Sequence, residues 1–456
     1  MLEILHISDI HMGSGFSHGK LNPETGINTR LEDFTATLGR CIDRALGRHL
    51  DGEASKPVDL VLFGGDAFPD ATPPPMVQQA FASQFRRLVD AQIPTVLLVG
   101  NHDQHSQGQG GASLCIYRTL GVPGFIVGDR LATHRIETRS GPVQIVTLPW
   151  LTRSSLLTRP ETEGLSLSEV GHLLLDRLRV ALEGEIRRLD PDVPTVLLAH
   201  LMADSARYGA ERFLAVGKGF TIPTSLLNRD CFDYVALGHV HRHQVLCEQP
   251  PMVYPGSIER VDFSEEKEEK GFVLIQLERG ATRWQFCPLP VRPFCTLEVN
   301  LASAEDPQAK LLKAIGKASV QDAVVRLRYK LRADQLDAIE TAALHEALTV
   351  AHTYTIQPEL VSQLARSRLP ELGADSGIDP MKALQTYLAN REDLKELEAD
   401  LLAAARSLLA GDEAVPAIVA SSANKAKTGV REKRVNYSIQ SMPLSALEGN
   451  TQLRLL

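Results

Sequence analysis

Four nearly uninterrupted apolar runs constrain this chain more than any other feature: Leu60-Val-Leu-Phe63, Thr95-Val-Leu-Leu-Val99, Thr195-Val-Leu-Leu-Ala199 and Tyr234-Val-Ala-Leu237. A strand with one face in water alternates apolar and polar residues. Runs without alternation belong to strands covered on both faces, as in parallel sheets. Leu2–Ser8, Val58–Phe63, Thr95–Val99, Val143–Leu148, Thr195–Ala199, Tyr234–Leu237, Met252–Tyr254 and Phe272–Leu277 are the predicted strands of residues 1–290. Between the first of them the spacing predicts helices over Arg30–Leu46 and Val77–Val89, the latter with Val77, Phe81, Phe85 and Leu88 on one face. Strand and helix in alternation predict an α/β fold.

The pattern changes after the Pro-rich joint Cys287-Pro-Leu-Pro-Val-Arg-Pro293. Residues 291–360 read as a small α+β module: strand Thr296–Val299, helix Gln308–Ile315, strand Ala323–Arg332, helix Ala333–Leu348, strand His352–Ile356. Gly373–Asp379 is a second joint. Residues 375–412 then read as a helical hairpin, with Asp379-Pro380 as cap and first helical residue and Gly411 as stop. Its stripes are Met381, Leu384 and Leu388, then Leu394, Leu397, Leu401 and Leu408. It packs on its own protein or docks a partner. Residues 413–456 are a polar tail with Lys425, Lys427, Arg431, Lys433 and Arg434 close together, the composition of a solvated segment.

With 456 residues, 43% of them hydrophobic, the chain is long enough for several cores, and wholesale disorder or a fibre is excluded. No run approaches the roughly 18 apolar residues of a membrane-spanning helix. The first residues already read as a strand rather than a secretory signal, and six Cys without regular spacing read as reduced thiols of a cytoplasmic protein. A formal charge of −8 argues against a chain that is basic throughout, but a local cationic groove is sufficient for nucleic acid.

Five polar clusters follow predicted strands: Asp9-Ile-His11, Gly64-Gly-Asp66, Gly100-Asn-His-Asp103, His200 and Gly238-His-Val-His241. Loops at the carboxyl ends of strands converge on one crevice, so five such ends point to one shared site. Three carboxylate or amide oxygens (Asp9, Asp66, Asn101) and four imidazoles (His11, His200, His239, His241) suit two divalent ions of the Mn, Fe or Zn kind rather than Ca. D-x-H and H-x-H each deliver two ligands from one short segment. Each element alone is a weak signal, and only the ordered set is specific.

This array resembles the calcineurin-like metallophosphoesterases over residues 1–280. Within them, Tyr254-Pro-Gly-Ser-Ile-Glu-Arg260, Asp262-Phe263 and Lys270-Gly-Phe272 resemble the SbcD-type DNA nuclease subunits, a likeness that extends over residues 1–412 with the order of domains. The resemblance implies a β-sandwich flanked by helices, then a DNA-capping α+β domain and a partner-binding helical hairpin. It implies that Asp9, His11, Asp66 and His241 hold one metal. Asp66, Asn101, His200 and His239 hold the other, with Asp66 bridging. His102 becomes the catalytic acid or transition-state stabiliser, and Asp103 the partner that fixes its imidazole. Mn2+ is the expected ion, with Mg2+, Fe2+ or Zn2+ as alternatives. Relatives of the nuclease place a second active-site His near Pro69. This chain reads Ala-Phe-Pro69-Asp70 there, and Asp70, His18 and His105 are nearby residues expected to be solvated or structural.

Alternation in Val325-Arg-Leu-Arg-Tyr-Lys-Leu-Arg332 puts Arg326, Arg328, Lys330 and Arg332 on one face. That stripe either tracks a phosphate backbone or protects an edge strand against aggregation; the resemblance favours DNA. The chain has no G-x-x-x-x-G-K-[ST] and is not expected to bind ATP. The resemblance supplies instead an SMC-like ATPase partner of the SbcC type, docked on the hairpin, and a homodimer within a heterotetramer. The expected activity is double-strand exonuclease and single-strand or hairpin endonuclease. A phosphoesterase of another branch, acting on phosphoproteins, cyclic nucleotides or small esters, is the first alternative. The phosphoprotein branch prefers G-D-x-x-D-R-G and G-N-H-E, which this chain lacks. A non-catalytic scaffold that binds DNA or a partner is the second, and it has no need of seven ligands and His102.

Overall fold

In a computed structural model of the chain, residues 1–48, 55–104, 111–152, 162–207, 221–361, 380–389 and 392–410 are described. They fall into two units, Met1–Gln363 and Leu364–Leu456. The eight predicted strands all form, as β1, β2, β3, β6, β7, β10, β12 and β13 of the series β1 (Leu2–Ile7), β2 (Leu60–Phe63), β3 (Thr95–Leu98), β4 (Phe125–Gly128), β5 (Ala132–Thr138), β6 (Gly141–Leu148), β7 (Thr195–His200), β8 (Met202–Ala203), β9 (Thr221–Ile222), β10 (Tyr234–Gly238), β11 (Gln244–Glu248), β12 (Pro251–Tyr254), β13 (Gly271–Leu277) and β14 (Arg283–Pro288).

These strands build two six-stranded sheets, ordered β14-β13-β1-β2-β3-β4 and β11-β12-β10-β7-β6-β5, while β8 and β9 pair with each other. The centre of each sheet is parallel: β1 through β4 in the first, β6, β7, β10 and β12 in the second. Antiparallel strands close both edges of the second sheet and the β14 edge of the first, whose other edge is the parallel β4. The runs lack alternation because both faces of the parallel strands are covered. Ile4, Leu62, Val96 and Leu98 of the first sheet meet Ile145, Val196, Leu198 and Ala236 of the second. The opposite face of the first sheet packs Leu5, Ile7, Phe63 and Leu97 under α1 (Thr29–Ala45) and α2 (Pro75–Asp90). The outer face of the second sheet packs Leu148, Leu197 and Leu237 under Leu178 and Leu182 of the helix Leu167–Ile186. The fold is therefore a mixed α/β sandwich of two sheets flanked by helices.

A third sheet follows, with β15 (Phe294–Asn300), β16 (Val324–Leu331) and β17 (Thr353–Leu360) all parallel and β16 in the middle. The helix Pro307–Lys317 connects the first pair. The single helix predicted over Ala333–Leu348 is broken into a 3-10 turn, Ala333–Ala338, and a short helix, Thr341–Ala347. Leu327, Tyr329 and Leu331 face the helices in one core. Because β16 is central, edge protection does not account for its cations. In the second unit, helix Pro380–Ala389, the 3-10 turn Glu392–Leu397 and helix Glu398–Ala410 occupy the span predicted as a hairpin. Leu388 is buried there and Leu397 and Leu401 are exposed. The joint Gly373–Asp379, Gly411, His105, the side chain of Leu408 and the tail 413–456 lie outside the described residues.

Candidate metal centre

Every predicted ligand lies at the carboxyl end of a parallel strand. Asp9 and His11 follow β1, Asp66 follows β2, Asn101 follows β3, His200 ends β7, and His239 and His241 follow β10. The two sheets approach each other closely at these ends. A side chain on Gly238 would meet the Gly64 carbonyl oxygen at 2.2 Å, and one on Gly100 would meet Asp66 Oδ1 at 2.1 Å. Only glycine fits where the loops cross. Asp9, His11, Asp66 and His239 all have left-handed backbone, with φ of 52°, 47°, 57° and 104°. Non-glycine residues there are strained by about 1–3 kcal/mol each, and such strain concentrates at functional sites.

The strain brings the ligand atoms together. Asp9, His11 and His241 form one triplet of donor atoms within 4.8 Å; Asp66, His200 and His239 form another; His11, Asp66 and His102 link them. His11 Nε2 lies 3.0 Å from His241 Nε2 and 3.6 Å from Asp66 Oδ2. Asp66 Oδ2 is also 3.3 Å from His200 Nε2. Asn101 Oδ1 sits 3.0 Å from His200 Nε2 and 2.8 Å from His239 Nδ1. Asp66, a member of the second triplet, thus also comes within reach of His11 of the first.

The donor chemistry fits metal ions. The His241 Nδ1–H donates to Glu265 (2.6 Å) and the His200 Nδ1–H to the Gly64 carbonyl (2.7 Å), an assignment made from the hydrogen-bond network. Both Nε2 atoms are thereby aimed into the site. His241 Nε2 lies 3.0 Å from His11 Nε2, so the two imidazoles converge on one point where an ion would take both. Asp9 and Asp66 are buried to 0% and 1% exposure, and among the described residues no Lys or Arg pairs with either. Buried carboxylates need compensating charge. Burial, then His241, push His11 well below the ordinary imidazole range, and burial, then His200, do the same to His239. Both are neutral at pH 7, as metal ligation requires. Burial opposes charge on His200, but Asp66 outweighs it and raises His200 to about 9. Burial likewise raises Asp9, against the pull of His200 and His241.

His102 and Asn101 are the partly exposed members of the set. The His102 ring stands edge-on to His11 at 4.9 Å, and its backbone N–H donates to Asp66 Oδ1 at 2.8 Å. The expectation for Asp103 needs correction. The His102 Nδ1–H is held by the Pro69 carbonyl at 2.8 Å, not by Asp103. Asp103 is fully buried and accepts from the backbone N–H groups of Asp66, Ala67 and Gly100, each at 3.0 Å. It ties the loops after β2 and β3 together. Burial and the neighbouring Asp66 raise Asp103 to about 7 against its amide donors.

Sequence reasoning missed Glu265, which braces His241, and Trp150, whose ring lies 4.8 Å from that of His239. Glu265 lies in the run Ser264-Glu-Glu-Lys-Glu-Glu-Lys270, which by composition reads as solvated. Its only signal was the motif around it. Asp70 is exposed and caps its own turn through Thr72. His18 packs edge-on against Phe263 and Phe294. The predicted cationic stripe is mostly paired: Arg328 with Glu298 (2.9 Å), Lys330 with Glu359 (3.6 Å) and Arg332 with Asp334 (2.8 Å). Arg326 turns back to lie 4.2 Å over the Phe263 ring.

No helix of the described residues is long and apolar enough to cross a membrane. Among solved structures, the chain is similar to a dimetal phosphatase from Danio rerio, at 12% identity and a TM-score of 0.36 over 62% of this chain and 95% of that one. It is also similar to the Thermus thermophilus sulfate thiohydrolase SoxB, at 15% identity and a TM-score of 0.31 over 69% of this chain and 60% of that one. The family model of the calcineurin-like phosphoesterases matches residues 2–243, more than half of the chain. With that match over the segment that carries all seven converging side chains, the chain belongs to the calcineurin-like phosphoesterases, metal-dependent hydrolases of phosphoesters.

Proposed function

We propose that this phosphoesterase is the nuclease subunit of an SbcD-type DNA end-processing complex, cleaving phosphodiesters as a double-strand exonuclease and a single-strand or hairpin endonuclease. The observation that carries the reading is the stretch Tyr254–Phe272, whose motifs resemble those of the nuclease subunits. It lies between the metal centre and the three-stranded sheet. Glu265 reaches His241, Phe263 contacts Arg326, and Glu266 accepts from the Thr296 N–H. A three-stranded module beside a metal cleft suits a long polymeric substrate more than a small ester. The polar face of that module carries Arg328 and Lys330, whose pairs with Glu298 and Glu359 are exposed and readily exchanged for phosphate.

Asp9, His11, Asp66 and His241 would hold one ion and Asp66, Asn101, His200 and His239 the other, with Mn2+ the expected metal. Two such ions, when bound, supply an activated water and a clamp on the attacking and leaving oxygens. The chain's own residues do the rest. Pro69 holds His102 through Nδ1, which leaves Nε2 for a substrate oxygen. As imidazolium, His102 offsets phosphate charge and gives its proton to the leaving oxygen. Asp103 keeps the Asp66 and Asn101 loops in register. The helices of residues 380–410, in the segment 375–412, would dock an SMC-like ATPase of the SbcC type, and the nuclease would work as a homodimer in the cytoplasm. Pure protein with Mn2+ and a labelled hairpin duplex, beside a phosphopeptide, tests the reading. Hairpin opening with an untouched phosphopeptide is expected. The reverse pattern would assign the chain to the phosphoprotein branch.

A further inference from the structure

The two triplets are braced differently. His200 Nδ1 is held by a neutral backbone carbonyl, whereas His241 Nδ1 is held by a carboxylate at 2.6 Å. Nothing in the motif logic of the ligands asks for that carboxylate. Glu265 is itself fixed on all sides. Its Oε2 accepts from Lys270 Nζ at 2.7 Å, from the Val261 N–H at 3.1 Å and from Ser257 Oγ at 3.4 Å. Lys270 is 1% exposed and also donates to Glu268, to Ser257 and, at 3.2 Å, to the carbonyl of His241 itself. The pair therefore grips His241 twice, by ring and by backbone.

The turn Phe263–Glu265 that presents the carboxylate is pinned from its other side. Phe263 packs edge-on to Phe294 at 4.9 Å, and the Thr296 N–H donates to Glu266 at 3.1 Å. A buried Lys–Glu pair adds little net stability over well-packed apolar residues. Its value lies in what it positions. A carboxylate on the far nitrogen of a ligating imidazole fixes the tautomer and ring orientation and raises ligand basicity.

We propose that Glu265, locked by Lys270, is the positioning residue for His241, and that this pair sets how tightly the Asp9/His11/His241 position holds its ion while leaving the Asp66/His200/His239 position untouched. The inference rests on the two-metal reading and assigns a separate control of affinity to one half of it.

The full-length protein, stripped with chelator, is titrated with Mn2+ by calorimetry and followed by electron paramagnetic resonance. Wild type is expected to take up two ions and show the exchange-coupled spectrum of a pair. Glu265→Gln is expected to bind one ion at wild-type affinity and the other about 10- to 100-fold more weakly. At Mn2+ levels that fill wild type it should therefore give the spectrum of an isolated ion. The double variant Glu265→Gln with Lys270→Gln removes the buried charges together and should behave the same way, which covers loss of fold in the single variant. Two ions at wild-type affinity in both variants would overturn the proposal. So would loss of both ions together, because the effect would not be confined to one position. Fewer than two ions in wild type would instead overturn the two-metal reading.

Discussion

Replacing Asp103 with Ala separates two roles that its place beside His102 leaves open. Its carboxylate accepts three backbone N–H groups, from Asp66, Ala67 and Gly100, and is fully buried. Removing it orphans three buried donors. Each unsatisfied donor costs about 1–3 kcal/mol, and water entering the vacated space favours the low end, so the loss is about 3 kcal/mol. With an unfolding entropy of about 2.1 cal/mol/K per residue, the unit Met1–Gln363 shifts by about 1.3 °C per kcal/mol, so the melting midpoint should fall by about 4 °C. The same loops deliver Asp66 and Asn101, so Mn2+ uptake should weaken in parallel. Circular dichroism melts in chelator, with a Mn2+ titration on the same samples, read both. A melt within a degree or two of wild type and normal Mn2+ uptake, with turnover alone lost, would refute the reasoning. That outcome would return Asp103 to the imidazole of His102.

His102→Gln should keep fold and metal content yet lose cleavage by about 100- to 10,000-fold, the usual worth of a positioned acid; normal turnover would remove His102 from the chemistry. His6 is buried between the sheets beside Tyr234, and burial pushes it down to about 3. Its neutral ring stabilises the fold above its unfolded value of about 6.5, and that stability is lost as pH falls toward 3. In chelator, the pH 7 to 5 loss in urea-unfolding free energy should be about 2 kcal/mol smaller for His6→Leu than for wild type; equal losses would contradict it. Deleting residues 375–456 should spare metal-dependent hydrolysis of a small phosphodiester and abolish co-purification with the proposed SMC-like ATPase, and a truncated chain that still captures that partner would show that the hairpin is not the dock.

The sandwich was legible because parallel strands covered on both faces leave unbroken Val and Leu runs, as in Leu60–Phe63 and Thr195–Ala199. β5 and β11 were not, because they close sheet edges and mix His, Arg and Gln with apolar residues. The ligands were legible because metal chemistry demands their types at strand ends. Their support was not. Glu265 and Lys270 become partners of His241 only when a charge-rich loop folds inward, and Asp103 acts through backbone amides, for which no sequence pattern exists. The cationic stripe on β16 was read correctly for alternation. Its pairing with Glu298 and Glu359 depends on the register with β15 and β17, which the strand itself does not encode.

The central claim is that side chains from five strand ends hold two ions. Anomalous diffraction at the manganese edge, from crystals grown with Mn2+, tests it directly. Two peaks about 3.5–4 Å apart are predicted, one beside Asp9, His11 and His241, the other beside Asn101, His200 and His239, with Asp66 between them. A single peak, or ions bound elsewhere on the chain, would contradict the account.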